Sequence, residues 1–396
     1  MPISLDRLRS LGRIVLIAAD TLVALALVAT AALLWLEHGW VQPKSLSPEE
    51  AFNRGTIGTE LMPLVVAQVL PDMYPQHFQP GGAGSGPWCE QFGFLPTQSE
   101  GCKDLPLGFA ISSYRPGSGA PSPVPFVGFS CALCHTTELH GADGTLLDRV
   151  PGPGNTSLNL FAWLDALQAA VLDRTVPPGA TPNPAVPPPY TLTVSRLSKA
   201  YGARMHRSLG AVEKLMVMLW LDQFRTRLTD GLPRFDDPYG DGRSRDPDVT
   251  PTGPLRTQPF RTLVRQVLDR PGDVMAVYTK IATVFSEGTR TSAQFDGSIT
   301  DLYARSAMAA FAAGATVENM KLPEIANNIR RATDYTKSLH PHKTFAEYFP
   351  DSAERSPERL AQGREVYRRY CFSCHGDWEG AAWSNGPRTG EVVPLA

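Results

Sequence analysis

Two stretches of this chain spell the same five-residue pattern, Cys131-Ala132-Leu133-Cys134-His135 and Cys371-Phe372-Ser373-Cys374-His375. Each supplies two thiols that can add across the vinyl groups of a haem, and a histidine one residue on that can ligate the iron from the same side. The competing reading is two buried or disulfide-linked cysteine pairs with an incidental histidine. Zinc fits less well: it wants four ligands, and each pattern offers three with no second C-x-x-C close by. The expected cofactors are therefore two covalently attached c-type haems. Cys131, Cys134, Cys371 and Cys374 would attach them, and His135 and His375 would bind their iron.

At 396 residues the chain can bury a sizeable core and suggests two or three domains. Its formal net charge of -2 gives no basic excess to recommend nucleic acid as a partner. Gly (34) and Pro (36) together fill more than one position in six, against about one in eight on average. Much of the chain should then be loop packed round something other than long regular elements, which is a role haem would fill.

Arg7, Arg9 and Arg13 precede an apolar run from Ile14 to Leu36, broken only by Asp20, Thr21 and Thr30. That length suits a membrane-spanning helix with its basic side in the cytoplasm, which sends the rest to the periplasm. Ala29-Thr30-Ala31 resembles a cleavage site, so a cleaved signal peptide is the alternative. Asp20 is awkward for either. Outside the two patterns only Cys89 and Cys102 remain, with twelve residues between them in a Gly-, Pro- and aromatic-rich loop, and an oxidising compartment favours a disulfide between them.

Along the chain, Ser47-Pro48-Glu49 and Ser356-Pro357-Glu358 read as helix starts. Residues 158–172 read as an amphipathic helix with Leu160, Trp163, Leu164, Leu167 and Val171 on one face; 211–228 reads as a long, strongly apolar helix and 300–315 as another with Ala-rich close packing. The segments 80–86 and 115–125 read as loops, and the proline-rich run 176–190 as an extended connector. Asp236, Asp237, Asp241, Asp246 and Asp248 make residues 230–254 either a solvated loop or a calcium site whose spacing misses the EF-hand template. Leu360, Gly363, Val366, Tyr367 and Tyr370 repeat at helical spacing into Cys371. The 21 residues after His375 are too few to wrap a haem, so this second unit reads as incomplete. The expected fold is mainly α with extensive loops: an N-terminal anchor or signal segment (1–40), a first haem domain with large insertions (41–345), and the start of a second cytochrome c domain (346–396).

Several stretches resemble the large bacterial dihaem cytochromes c, a group that includes the rubber oxygenases and is related more distantly to dihaem cytochrome c peroxidases. They are residues 52–60 (FNRGTIGTE), 69–75 (VLPDMYP), Pro106-Leu107-Gly108-Phe109, Gly128-Phe129-Ser130, Arg234-Phe235-Asp236 with Pro238-Tyr239, Phe295-Asp296-Gly297, Gly314-Ala315-Thr316 and the two haem patterns. The resemblance implies that His135 and His375 are proximal ligands. Where those families place the tryptophan of a W-D-G element between the haems, this chain has Phe295, whose phenyl ring is far harder to oxidise. Phe311 stands where the rubber oxygenases place a distal phenylalanine. Glu318 stands where a peroxidase glutamate moves a proton.

For the sixth iron position, Met205, His206, Met216, Met218, Met275, Met308 and Met320 are chemically capable. His140 lies too close to His135 to reach the opposite face, and His340 and His342 read as loop residues. Three functions compete. The first is a redox enzyme acting on dioxygen or peroxide at the first haem, with the second relaying electrons. The second is a membrane-tethered electron-transfer cytochrome without catalysis, and the third a haem scaffold for assembly or sensing. The expected partners are a redox cytochrome or quinol-linked donor, and the inner membrane through the N-terminal helix.

Overall fold

The computed structural model describes residues 5–37, 45–79, 81, 86–97, 105–174, 189–229, 254, 256–257, 279–289, 299–378 and 383–384. The N-terminal run forms a helix, α1 (Leu5–Glu37). The expectation of a membrane span there is not upheld: among the described residues no helix is long and apolar enough to cross a membrane. Helix α1 carries Asp20 within its apolar run, a costly residue at membrane depth, and two threonines, Thr21 and Thr30, whose hydroxyls donate back to the Ile17 and Ala26 carbonyls.

After it, α2 (Pro48–Arg54) opens on the expected cap: Ser47 Oγ accepts from Glu50 N, and the Glu50 carboxylate accepts from Ser47 N. A short strand β1 (Met62–Pro63) leads into α3 (Leu64–Met73). Strands β2 (Phe109–Tyr114) and β3 (Pro121–Phe129) then form an antiparallel sheet with β1, in the order β1-β3-β2. Strand β3 begins inside the segment its prolines had marked as loop. Pro121, Pro123 and Pro125 alternate, so their missing N–H groups fall on one edge of the strand. Leu61 N bonds to Val127 O on that same edge, but β1 pairs only with Phe126 and Val127, so the prolines lie beyond its reach.

The first cysteine pattern follows β3 directly and gives way to the hairpin β4 (Thr136–His140) and β5 (Leu146–Pro151). Then come α4 (Leu160–Leu172), α5 (Val194–Met205), α6 (Ala211–Thr229), α7 (Leu302–Ala312), α8 (Pro323–Ser338) and α9 (Pro357–Tyr370). The apolar faces of α3 to α6 close over the sheet. Phe94, Phe109, Phe129 and Trp163 meet edge-on at centroid distances of 5.1 to 6.0 Å. Trp220 ties α6 to the sheet by donating to Leu61 O at 2.8 Å. On the other side α8 packs on α2, with Phe52 and Tyr335 5.1 Å apart. Cys89 is disulfide-bonded; Cys102, its expected partner, lies outside the described residues, as do 230–253 and Phe295.

Candidate functional site

The first pattern is a single helical turn, Ala132–His135, capped by Cys131 and wedged between β3 and β4. Its bonds run in several directions. His135 N donates to Cys131 O at 3.1 Å, Gly152 N to His135 O at 2.7 Å and Asn155 N to Cys134 O at 2.7 Å. Asn155 is itself held by donating from Nδ2 to Gly93 O at 3.0 Å. From below, Ser130 N donates to Gly108 O at 2.7 Å. Gly108 has φ +87°, and a Cβ there would lie 2.2 Å from Leu133 N. The turn therefore rests on a floor that only glycine leaves flat enough.

Ala132 and Leu133 are 1% and 3% exposed, so the two middle residues anchor the turn in the core. Cys131, Cys134 and His135, in contrast, are only half-buried. Cys134 packs against the main core, while Cys131 touches two smaller clusters, one of Ile57, Ala310, Ala315, Ile325 and Ile329 and one of Ala51, Phe52, Ala132 and Ala332. Neither thiol is in a disulfide. Burial pushes Cys131 up to about 11, with Arg305 opposing, and pushes Cys134 up to about 12, with Cys131 adding to it. Both are neutral thiols at neutral pH. Burial, assisted by Arg305, lowers His135 to about 4, against the opposing pull of the Ala282 carbonyl. The ring is thus neutral, and its Nδ1 is buried with no hydrogen-bond partner among the described residues.

These residues fit a c-type haem. Attachment needs two unpaired thiols reachable from one side, and iron ligation needs a neutral imidazole with an unspent lone pair. A buried, unpartnered ring nitrogen costs about 1–3 kcal/mol unless something binds it, so it calls for an occupant. No group of three or more metal-ligating side chains occurs among the described residues.

The second pattern is likewise one turn, Phe372–His375, capped by Cys371. Cys371 is half-buried and not in a disulfide; the side chains of Cys374 and His375 lie outside the described ones. Tyr367 OH donates to Gly376 O at 2.7 Å, and Arg368 reaches Asp377 at 3.1 Å. Helix α9 begins on the expected Ser356 cap. Its apolar positions are not a buried stripe, since Leu360, Val366 and Tyr370 are exposed and only Tyr367 is half-buried.

The other expected residues are scattered. Phe311 is half-buried near the end of α7, but it is Ala310 that enters the cluster Cys131 touches. Glu318 is exposed on the short helix Val317–Met320. Met320 packs against the same cluster as Cys131, and Met216 is buried in the main core. Met205, Met218 and Met308 are exposed, and Met275 is outside the described residues. His206 is an exposed helix C-cap in the left-handed conformation. His140 faces Glu138 and Gly144 O on the hairpin. His340 is exposed, and His342 bonds to Asp148 and Tyr348.

Sequence reasoning missed two residues beside the first motif. Arg305 of α7 and Glu287 form an ion pair, 13% and 7% exposed. An arginine inside an otherwise Ala-rich helix was the available signal for the first; nothing local marked the second. Comparison with protein-family models, with curated proteins and with solved structures finds no significant match.

Proposed function

We propose that this chain is a dihaem c-type cytochrome, of the kind its motifs resemble, and a redox enzyme acting on dioxygen or peroxide at the haem held by Cys131, Cys134 and His135. The haem at Cys371, Cys374 and His375 relays electrons to it, supplied by a soluble cytochrome or a quinol-linked donor. The observation that carries this reading is the seat of the first motif: two unpaired thiols and a neutral imidazole whose Nδ1 has no hydrogen-bond partner among the described residues, with part of their surface open, backed by the buried Ala132 and Leu133. Haem bound there supplies one-electron chemistry and an iron position for a small oxidant. The chain's own residues hold the backbone of the turn, through Gly152 N and Asn155 N, and the buried Ala132 and Leu133 keep water from its back. The disulfide at Cys89 supports an oxidising compartment for this part of the chain.

The test is expression of the full chain in a host that matures c-type cytochromes, followed by haem quantification. Two haems per chain are expected, one in Cys131→Ala/Cys134→Ala and one in Cys371→Ala/Cys374→Ala. A chain without covalent haem refutes the reading. EPR with optical spectroscopy then decides on catalysis, for which one high-spin haem that binds CO when reduced is expected. One observation favours the alternative of electron transfer alone: Met320, a sulfur ligand by chemistry, packs on the cluster that Cys131 touches. Two low-spin, six-coordinate haems that ignore CO would establish that alternative.

A further inference from the structure

After α8 the chain leaves the body at Leu339, which is buried and whose carbonyl accepts from Ser286 N at 2.9 Å. Residues 340–345 are exposed. Three side chains of this segment then converge on one carboxylate of the body, Asp148 of β5. Asp148 Oδ2 lies 2.9 Å from His342 Nε2, 2.8 Å from the Tyr348 hydroxyl and 3.8 Å from Lys343 Nζ, and the His342 and Tyr348 atoms are 2.9 Å from each other. A carboxylate only accepts, so His342 and Tyr348 both donate to it, which places a proton on His342 Nε2. The other oxygen, Oδ1, accepts from Arg149 N at 2.8 Å. These bonds, His342 first and Tyr348 next, hold the Asp148 carboxyl below its ordinary value, so the centre of the cluster is charged at neutral pH.

Each side of this contact leads to a haem motif through bonded structure. Asp148 pairs across the hairpin with Leu139, and the hairpin starts at Thr136, next to His135, whose carbonyl accepts from Gly152 N at 2.7 Å. On the other side, Thr344 and Glu347 form a capping box on the single turn Phe345–Tyr348, which brings Tyr348 back beside His342 with their rings 6.1 Å apart. Ser352 N donates to Phe349 O at 3.2 Å, Ser352 caps the turn Ala353–Arg355, and Ser356 caps α9, which runs into Cys371. Apolar burial does little to fix the place of α9, none of whose residues is buried.

We propose that Asp148, His342 and Tyr348 form a latch that seats the second motif against the first and so fixes the distance that the electron relay must cross. This rests on haem being attached at both motifs. The three are positioning residues, acting through the hairpin on one side and α9 on the other. One electron leaves the second site and arrives at the first, and no bond or proton changes hands at the latch. His342 and Lys343 are about half exposed, and ion pairs in such places are weak and screened by salt. The latch therefore exchanges between a closed and an open form, and the relay is faster in the closed one.

The experiment uses the full-length, haem-loaded protein. Pulsed EPR of the oxidised form reads the distribution of distances between the two irons, and stopped-flow absorbance reads the rate at which an electron passes from the second haem to the first. Wild type is expected to give one dominant distance. Asp148→Lys opposes cations, His342→Glu opposes two carboxylates, and each should raise the longer-distance population about fivefold, the scale of an exposed ion pair. Tyr348→Phe should shift the distribution the same way, and in all three the relay slows while both reduction potentials stay in place. The swapped pair Asp148→Lys/His342→Glu should restore the wild-type distance and rate. Recovery by the swap is what a contact between these two side chains produces and what general loosening does not. The inference is overturned if, with both haems attached, any of the three single variants keeps the wild-type distribution, if the rate is unchanged where the distribution has shifted, or if the swap recovers nothing. Wild-type protein lacking haem at either motif would instead overturn the attachment reading, and this inference with it.

Discussion

Gly108→Ala isolates the floor under the first motif. Two costs can be worked out from the geometry. The first is conformational: an L-residue held at φ +87° pays about 1–2 kcal/mol. The second is steric, because the new Cβ would sit 2.2 Å from Leu133 N and 2.3 Å from Leu133 Cα, both backbone atoms that cannot rotate away. The turn must lift, disturbing its bonds to Gly152 and Asn155, and forced repacking of this kind costs about 1–3 kcal/mol more. The total loss is about 2–5 kcal/mol. The control is Gly144→Ala in the β4–β5 turn, with φ +83° and nothing within 4 Å of the added Cβ, which should lose only the conformational part. Urea denaturation followed by tryptophan fluorescence reads both, since Trp163 and Trp88 lie in the core above the sheet. Equal losses in the two variants, or a loss below about 1 kcal/mol in Gly108→Ala, would refute the argument that the motif rests on this residue.

Asn319 is fully buried. It donates to the Glu60 carboxylate and, at 3.1 Å, to Arg115 O, and it accepts from Gly119 N at 2.8 Å. Asn319→Ala should cost about 1–3 kcal/mol, measured as a fall in urea midpoint, because it leaves Glu60 Oε2 without this donor while Thr56 still donates to Oε1. Nearby, burial raises the Glu324 carboxyl above its ordinary value of 4.5, the hydrogen bond from Tyr114 opposes this, and the Glu60 carboxylate adds to it. A raised folded value means that stability is fully present below pH 4.5 and is lost as pH rises through the folded value. Glu324→Gln should therefore gain on wild type in urea midpoint between pH 4 and pH 8, and a difference that stays flat over that range counts against the assignment.

What could be read from sequence was local. The expected helices at 158–172 and 211–228 appear as α4 and α6 because their apolar residues recur at helical spacing. The caps at Ser47 and Ser356 formed because each depends on residues three positions away. What could not be read depends on distant parts of the chain. Strand β3 was hidden by its prolines, whose harmlessness depends on where β1 stops. The apolar positions of α9 show a helical spacing but no covering partner among the described residues, and spacing alone does not say whether a face is covered. At the site, the motif residues announced themselves, whereas the elements that position them, Gly108, Asn155 and the Arg305–Glu287 pair, come from up to 174 positions away.

That difference makes the two motifs unequal in a measurable way. The turn at Cys371 is stabilised by neighbours: Tyr367 bonds to Gly376, and Arg364 and Arg368 reach Asp377, all within thirteen positions. Those ion pairs are exposed at the arginine end and contribute about 1 kcal/mol or less each. Among the described residues, the bonds that shape this turn come from its own segment. The turn at Cys131 depends instead on the sheet, the hairpin and α7 being in place together. Anything that loosens the core should remove the geometry of the first attachment site before it touches the second. Gly108→Ala, matured in the same host as wild type, should lose haem at Cys131 and Cys134 while keeping it at Cys371 and Cys374. Mass spectrometry of the haem-bearing peptides reads each site separately, and equal retention at both would show that the first motif does not need the floor on which it sits.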